Sequence, residues 1–401
     1  MRALVARQLT AVTILHRQPN LLVGNATNGV PAGCCMTKTW FPKALLALLS
    51  FSLLLATSCN KSSPQEPPNQ LPTAERSWQM GFAATPPEPS VSAVLQGIDL
   101  WSQRSELAVI HEQLPWTDLL MGMTPQEILI RDKVQVVDYM RQRGLRLVFM
   151  ADLTDGLSRA EEAPQLRALG RSLTEPAVQQ LARDYVLAVA ALLQPEFLGL
   201  SAETNLVRAA APASIYNAIV TTANAMAADL LTAQVDAVLF HSVQVETAWG
   251  LFSNSPYLGI DQDLQDFPFS AALALSSYPY FVFDEPEAIP DDYYTRLADV
   301  TQLPLMVIEG GWTSTSVGTV TSSPELQMRY LARHEELLES VAATMWLQLV
   351  FADLDLSAYP APQPVNLPLF IDIGLTDRNF VPKPALAEWD RIFARPLAQS
   401  L

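Results

Sequence analysis

From Trp78 onward the chain alternates short, continuous apolar runs with longer amphipathic stretches, and few folds accept that pattern. The apolar runs fall at residues 79–82, 107–110, 145–150, 197–201, 237–240, 272–276, 305–308 and 347–351. They do not alternate apolar with polar, as a half-exposed strand would. Continuous apolarity marks parallel strands buried on both faces. Helical stretches lie between them, at 90–105, 124–143, 174–193, 214–233, 290–299, 323–343 and 384–393. Thr124 is placed as an N-cap, Pro125 follows in the first turn, and Gly144 supplies the stop. Eight strands alternating with helices predict one α/β domain, a single (β/α)8 barrel. An open doubly wound sheet would carry a Gly-rich phosphate turn after its first strand, and Met80-Gly81-Phe82-Ala83-Ala84 is no such turn.

The segment before the alternation has its own logic. Lys38 and Lys43 precede an apolar run, 44–56, that ends in Thr57-Ser58-Cys59. A basic start, a short apolar stretch and small residues before a cut form a signal-peptide pattern. The Cys directly after the small residues resembles the bacterial lipobox, in which that Cys is lipidated. The expected organisation is therefore an upstream extension at 1–35, a lipoprotein signal peptide at 36–58, a Pro-rich tether at 59–76 and the barrel at 77–396. With Cys34 and Cys35 upstream, only Cys59 remains for the mature chain, so no disulfide framework is expected. This predicts a bacterial cell-envelope protein that meets the membrane only through its N-terminal lipid, and a monomer.

Net charge restricts the partners. At -16 the chain lacks the basic footprint that nucleic acid requires. No Gly-x-Ser-x-Gly elbow is present, which argues against a serine hydrolase. His111-Glu112 lacks the second His of a zincin helix, position 115 being Pro. No cofactor or metal is expected.

In a (β/α)8 barrel, chemistry sits where the strands end. His111, Glu112 and Trp116 follow the second strand, and Asp152 the third. Glu203 and Asn205 follow the fourth, Ser242 and Glu246 the fifth, and Tyr278 and Tyr280 the sixth. Glu309 and Trp312 follow the seventh, Phe351 and Asp353 the eighth. Carboxylates, amides and aromatic rings at one mouth suit a carbohydrate, whose hydroxyls need hydrogen bonds and whose ring faces stack on aromatics.

The order of these residues resembles the retaining (β/α)8-barrel glycoside hydrolases, the endo-galactanase and glucanase superfamily among them. Leu198-Gly-Leu-Ser-Ala202-Glu203-Thr-Asn205 stands at the fourth strand, and Leu305-Met-Val-Ile-Glu309-Gly-Gly-Trp312 at the seventh. Ser277-Tyr278-Pro-Tyr280 is similar to the turn whose Tyr hydroxyl contacts the nucleophile. The ending from Gly374 through Pro382-Lys-Pro384-Ala385 to Trp389 is also similar. The resemblance implies Glu203 as acid/base and Glu309 as nucleophile on a β-linked glycan. It implies sugar-binding roles for the remaining residues named above. One departure stands out: Ala202 occupies the place of the Asn that binds the sugar 2-hydroxyl, with Asn205 the nearest substitute. A barrel that binds glycan without cutting it is the alternative.

Overall fold

A computed structural model describes residues 74–252, 257–359 and 363–398. The expected upstream extension and signal peptide, Cys59 and most of the expected tether lie outside these residues.

Eight parallel strands close a barrel in the order β1-β10-β9-β8-β7-β6-β3-β2. They are β1 (Gln79–Ala83), β2 (Leu107–Gln113), β3 (Arg146–Asp152), β6 (Phe197–Gly199), β7 (Val238–Gln244), β8 (Ala272–Ser277), β9 (Leu305–Gly310) and β10 (Met345–Gln348). The single (β/α)8 barrel expected from the alternation is the fold observed. Two short strands, β4 (Thr154–Asp155) and β5 (Ser158–Glu162), form an antiparallel hairpin outside the barrel.

Strand parity divides the core. Leu107, Val109, Val148, Met150, Phe240, Ala272, Ala274, Met306, Ile308, Met345 and Leu347 fill the barrel interior. The intervening positions, among them Phe82, Leu273, Leu275 and Trp346 on one side and Ile110, Phe149 and Leu198 on the other, pack outward under the helices. Each strand is thus buried on both faces, which is why the runs read as continuously apolar.

Several boundaries differ from the sequence expectation. The last barrel strand is Met345–Gln348, not 347–351, because Met345 and Trp346 already pair with β9. The stretch expected to be one helix at 124–143 is two, Pro125–Asp132 and Val134–Arg141, joined at Lys133. Thr124 does cap the first with a capping box, and Gly144 ends the second at φ +78°. Only Thr295–Ala298 is α-helical within 290–299.

The first and last described segments of the barrel meet at its floor, below the start of β1. The Arg76 amide donates to the Pro396 carbonyl at 2.9 Å, and Ala398 returns a bond to the Arg76 carbonyl at 2.8 Å. The buried Arg76 guanidinium adds bonds to the Trp78 and Arg395 carbonyls and an ion pair with Glu106.

Candidate active site

Glu203 sits four residues past the end of β6, at φ 46° and ψ 48°, as the N-cap of the helix Thr204–Ala210. Left-handed backbone at a non-glycine residue is disfavoured by roughly 1–2 kcal/mol and persists only where neighbours over-determine it. Here the Glu203 amide donates to Ser242 Oγ at 2.9 Å, and its carbonyl accepts from Leu206 and Val207. The turn aims the Glu203 carboxylate at the barrel axis.

Glu309 reaches the same place by a different device. Met306 and Ile308 face inward, so strict alternation would send Glu309 out under the helices. The β8–β9 register instead slips by one residue: Leu275 pairs with Val307, but Ser276 pairs with Glu309. This bulge turns Glu309 inward beside Ser276. Gly310 permits the close approach that follows, since a Cβ there would stand 2.5 Å from the Ser277 carbonyl oxygen.

The two carboxylates are joined through one buried network. Tyr278 Oη donates to Glu309 Oε1 at 2.8 Å, and His111 Nδ1 lies 3.1 Å from Glu309 Oε2. His111 Nε2 lies 3.3 Å from Asp152 Oδ2. Asp152 takes Arg159 Nη1 at 2.7 Å on both oxygens, and Arg159 Nε donates to Glu203 Oε2 at 2.8 Å. Ser276 Oγ, across the ladder from Glu309, closes the ring by donating to Glu203 Oε1 at 2.6 Å. Glu203 and Glu309 are only 0% and 1% exposed, so the network is shielded from bulk water.

Electrostatics follow from that shielding. Burial alone would depress the His111 imidazolium, but Asp152 and Glu309 more than offset it and push its pKa up to about 9. His111 is therefore a cation held between Asp152 and Glu309. Asp152 resists burial because Arg159 and His111 hold its carboxyl well below the usual range. Glu203 goes the other way: burial and the Glu309 charge outweigh Arg159 and push it up to about 7. Glu246, between the Tyr293 hydroxyl and the Tyr278 amide, is likewise raised to about 7 by burial. Its side chain also accepts from Gln244.

Of the residues expected at the mouth, His111, Asp152, Glu203, Ser242, Tyr278 and Glu309 converge through these bonds, and Glu246 adjoins them at Tyr278. Others do not, and strand geometry gives the reasons. Glu112 follows the inward His111 by one residue, so it points outward, where it pairs with Lys133 at 2.5 Å and accepts from Tyr185 at 2.9 Å. Trp116 is buried in the same outer layer, with Leu114 and Leu119. Asn205 is engaged by the backbone: its amide bonds the Gln244 carbonyl and the Gln244 and Leu206 amides, tying two strand ends together. Phe351 lies past the shortened β10 and packs on Phe82 and Phe380. Asp353 is bound to Lys383 and the Gly374 amide. Tyr280 and Trp312 form no open stacking platform. They pack edge to face, with their polar atoms engaged by the Leu369 carbonyl and Ser322.

Arg159 and Ser276 were missed by sequence reasoning. Arg159 lies on the β4–β5 hairpin, whose signal was the Asp155-Gly156 pair, a dipeptide that favours tight hairpin turns. Ser276 closes an apolar run and is unremarkable until register places it beside two carboxylates.

No family model matches this chain, and no curated protein matches it. Solved structures share its fold. The exo-β-1,4-mannosidase Op5Man5 from Opitutaceae bacterium strain TAV5 superposes with a TM-score of 0.58 at 15% identity, over 80% of this chain and 61% of that one. This chain thus spans about 61% of the mannosidase's length. The β-glucosidase 1317 gives 0.55 at 14% identity, over 82% and 99% of the two chains. A GH5_18 protein from Streptomyces cattleya, in complex with GlcNAc, gives 0.58 at 13% identity over 82% of each. Likeness at this identity shows the barrel fold.

Proposed function

We propose that this protein is a glycoside hydrolase that cleaves β-linked sugars by a retaining double displacement. The observation that carries the reading is the unlike setting of two adjoining carboxyls. Glu309 accepts a hydrogen bond from Tyr278 and pairs with the His111 cation, a setting that suits a nucleophile. Glu203 is held near a pKa of about 7, as suits a proton donor. In the first step a Glu309 oxygen bonds to the anomeric carbon while the glycosidic C–O bond breaks and Glu203 gives its proton to the leaving oxygen. In the second, Glu203 takes a proton from water, whose oxygen attacks the anomeric carbon and releases Glu309.

The fold neighbours suggest the first substrates to try, since their names include an exo-β-1,4-mannosidase, a β-glucosidase and a complex with Manb1-4GlcNAc. The decisive test is trapping with a 2-deoxy-2-fluoro glycoside followed by peptide mass spectrometry. Labelling of Glu309 is expected. Turnover with inversion of the anomeric centre would overturn the retaining mechanism.

A second reading, a glycan-binding barrel without catalysis, is favoured by one observation. Glu203 is fully buried and ion-paired to Arg159, while Ala202 offers no hydrogen bond beside it. Glycan binding with no cleavage across the panel would select this reading.

We further propose export to the bacterial cell envelope as a monomer held by lipid on Cys59, supported by the apolar run and the Thr57-Ser58-Cys59 sequence. Metabolic labelling with a fatty acid should mark the wild type and not Cys59→Ser.

A further inference from the structure

We infer that Arg159 contacts the substrate directly, its Nη2 donating to a hydroxyl of an uncharged sugar ring bound beside Glu203. The inference rests on the glycosidase reading and adds a substrate class to it.

The hairpin fixes Arg159 independently of the carboxylates. Asn366 Nδ2 donates to the Leu157 carbonyl at 3.0 Å, and Glu162 accepts from the Ser172 hydroxyl and the Leu173 amide, each at 2.7 Å. The guanidinium that it delivers is fully buried. Nε is spent on Glu203, and Nη1 on Asp152 and on Thr154 Oγ1 at 2.6 Å. Nη2 is buried with no hydrogen-bond partner among the described residues. In a planar guanidinium Nη2 shares one edge with Nε and the other with Nη1. It therefore lies between the Glu203 and Asp152 carboxylates, and an acceptor that reaches it stands next to Glu203. A buried cationic donor without an acceptor is unfavourable, which leaves Nη2 as the unspent donor of this guanidinium, next to Glu203.

Charge selects which oxygen. Asp152 and Glu203 already share this one guanidinium. A uronate carboxylate would crowd a third anion onto it, whereas a hydroxyl adds none.

The test uses the full-length protein and three probes, the para-nitrophenyl β-D-mannoside, β-D-glucoside and β-D-glucuronide, with monodeoxy versions of whichever neutral glycoside is cleaved. Arg159→Lys keeps a cation between the carboxylates and removes Nη2. Its kcat/KM on the neutral glycoside should fall roughly 10- to 100-fold, the range for one hydrogen bond to a charged donor. The alkaline limb of its pH profile should stay in place. The loss should largely vanish on the one deoxy substrate that lacks the contacted hydroxyl. Arg159→Gln serves the same comparison where the Lys variant does not fold. Unchanged kcat/KM in a folded variant, an equal loss on every deoxy substrate, or a wild type that prefers the glucuronide would overturn the inference and leave the glycosidase reading standing. A wild type that cleaves none of the three and binds none of them overturns both.

Discussion

His111 and Glu112 are consecutive residues of β2, both buried, both engaged with opposite charge, and they belong to different regions. His111 faces the barrel axis and joins Asp152 to Glu309. Glu112 faces the helix layer and joins the strand to Lys133 and Tyr185. Burial of a paired charge is thus common to both sides of the barrel wall and marks neither as a site. What separates them is face. The inner network links residues from several strand ends around one point, while the outer cluster fastens a strand to two helical segments.

The sharpest way to break this distinction is to neutralise one carboxylate on each side. Glu309→Gln should lower kcat on the order of 10⁴-fold, the scale for losing one member of a catalytic unit. Glu112→Gln should leave kcat in place. Loss of one partner from a buried pair should lower stability by about 3 kcal/mol in a urea melt, with turnover per folded molecule unchanged. Loss of turnover in folded Glu112→Gln would erase the contrast between the faces.

Acidity sharpens the comparison further. With Glu203 as proton donor at a pKa of about 7, kcat/KM should fall tenfold per unit at higher pH. A flat profile to pH 9 would remove Glu203 from that role. Glu246 supplies a stability counterpart. Its folded pKa of about 7 lies above the ordinary 4.5, so its contribution is fully present below about 4.5 and is lost as pH rises through about 7. The stability of the wild type relative to Glu246→Gln should therefore shrink by roughly 3 kcal/mol between pH 4.5 and 8. The smallest effect belongs to the outer layer. Phe351→Leu should cost about 1 kcal/mol with KM unchanged, because the ring packs on Phe82 and Phe380 behind the wall.

The fold was legible in the sequence because strands buried on both faces have no polar alternation to obscure them. That same property hid which face each strand-end residue takes. Parity places His111 inside and Glu112 outside, and it can be counted once a strand's start is known. Parity then fails at Glu309, where a one-residue slip against β8 reverses the outcome, and no local propensity announces such a slip. Phe351 was lost for a simpler reason, since β10 begins and ends earlier than its apolar run suggests. Arg159 needed the hairpin to be seen as folding back over the third strand's end, and an Asp-Gly pair gives a turn without giving its destination.

The stitching of Arg76 to Pro396 and Ala398 has a consequence for orientation. It fixes the point where the chain enters the barrel on the floor, a full strand length away from Glu203 and Glu309. With lipid on Cys59, as proposed, the fifteen-residue interval to Ala74 limits the leash to roughly 50 Å at full extension. The stitch and the two carboxylates thus occupy opposite ends of the strands, so removing the chain before Ala74 should leave the hydrogen bonds of the site untouched.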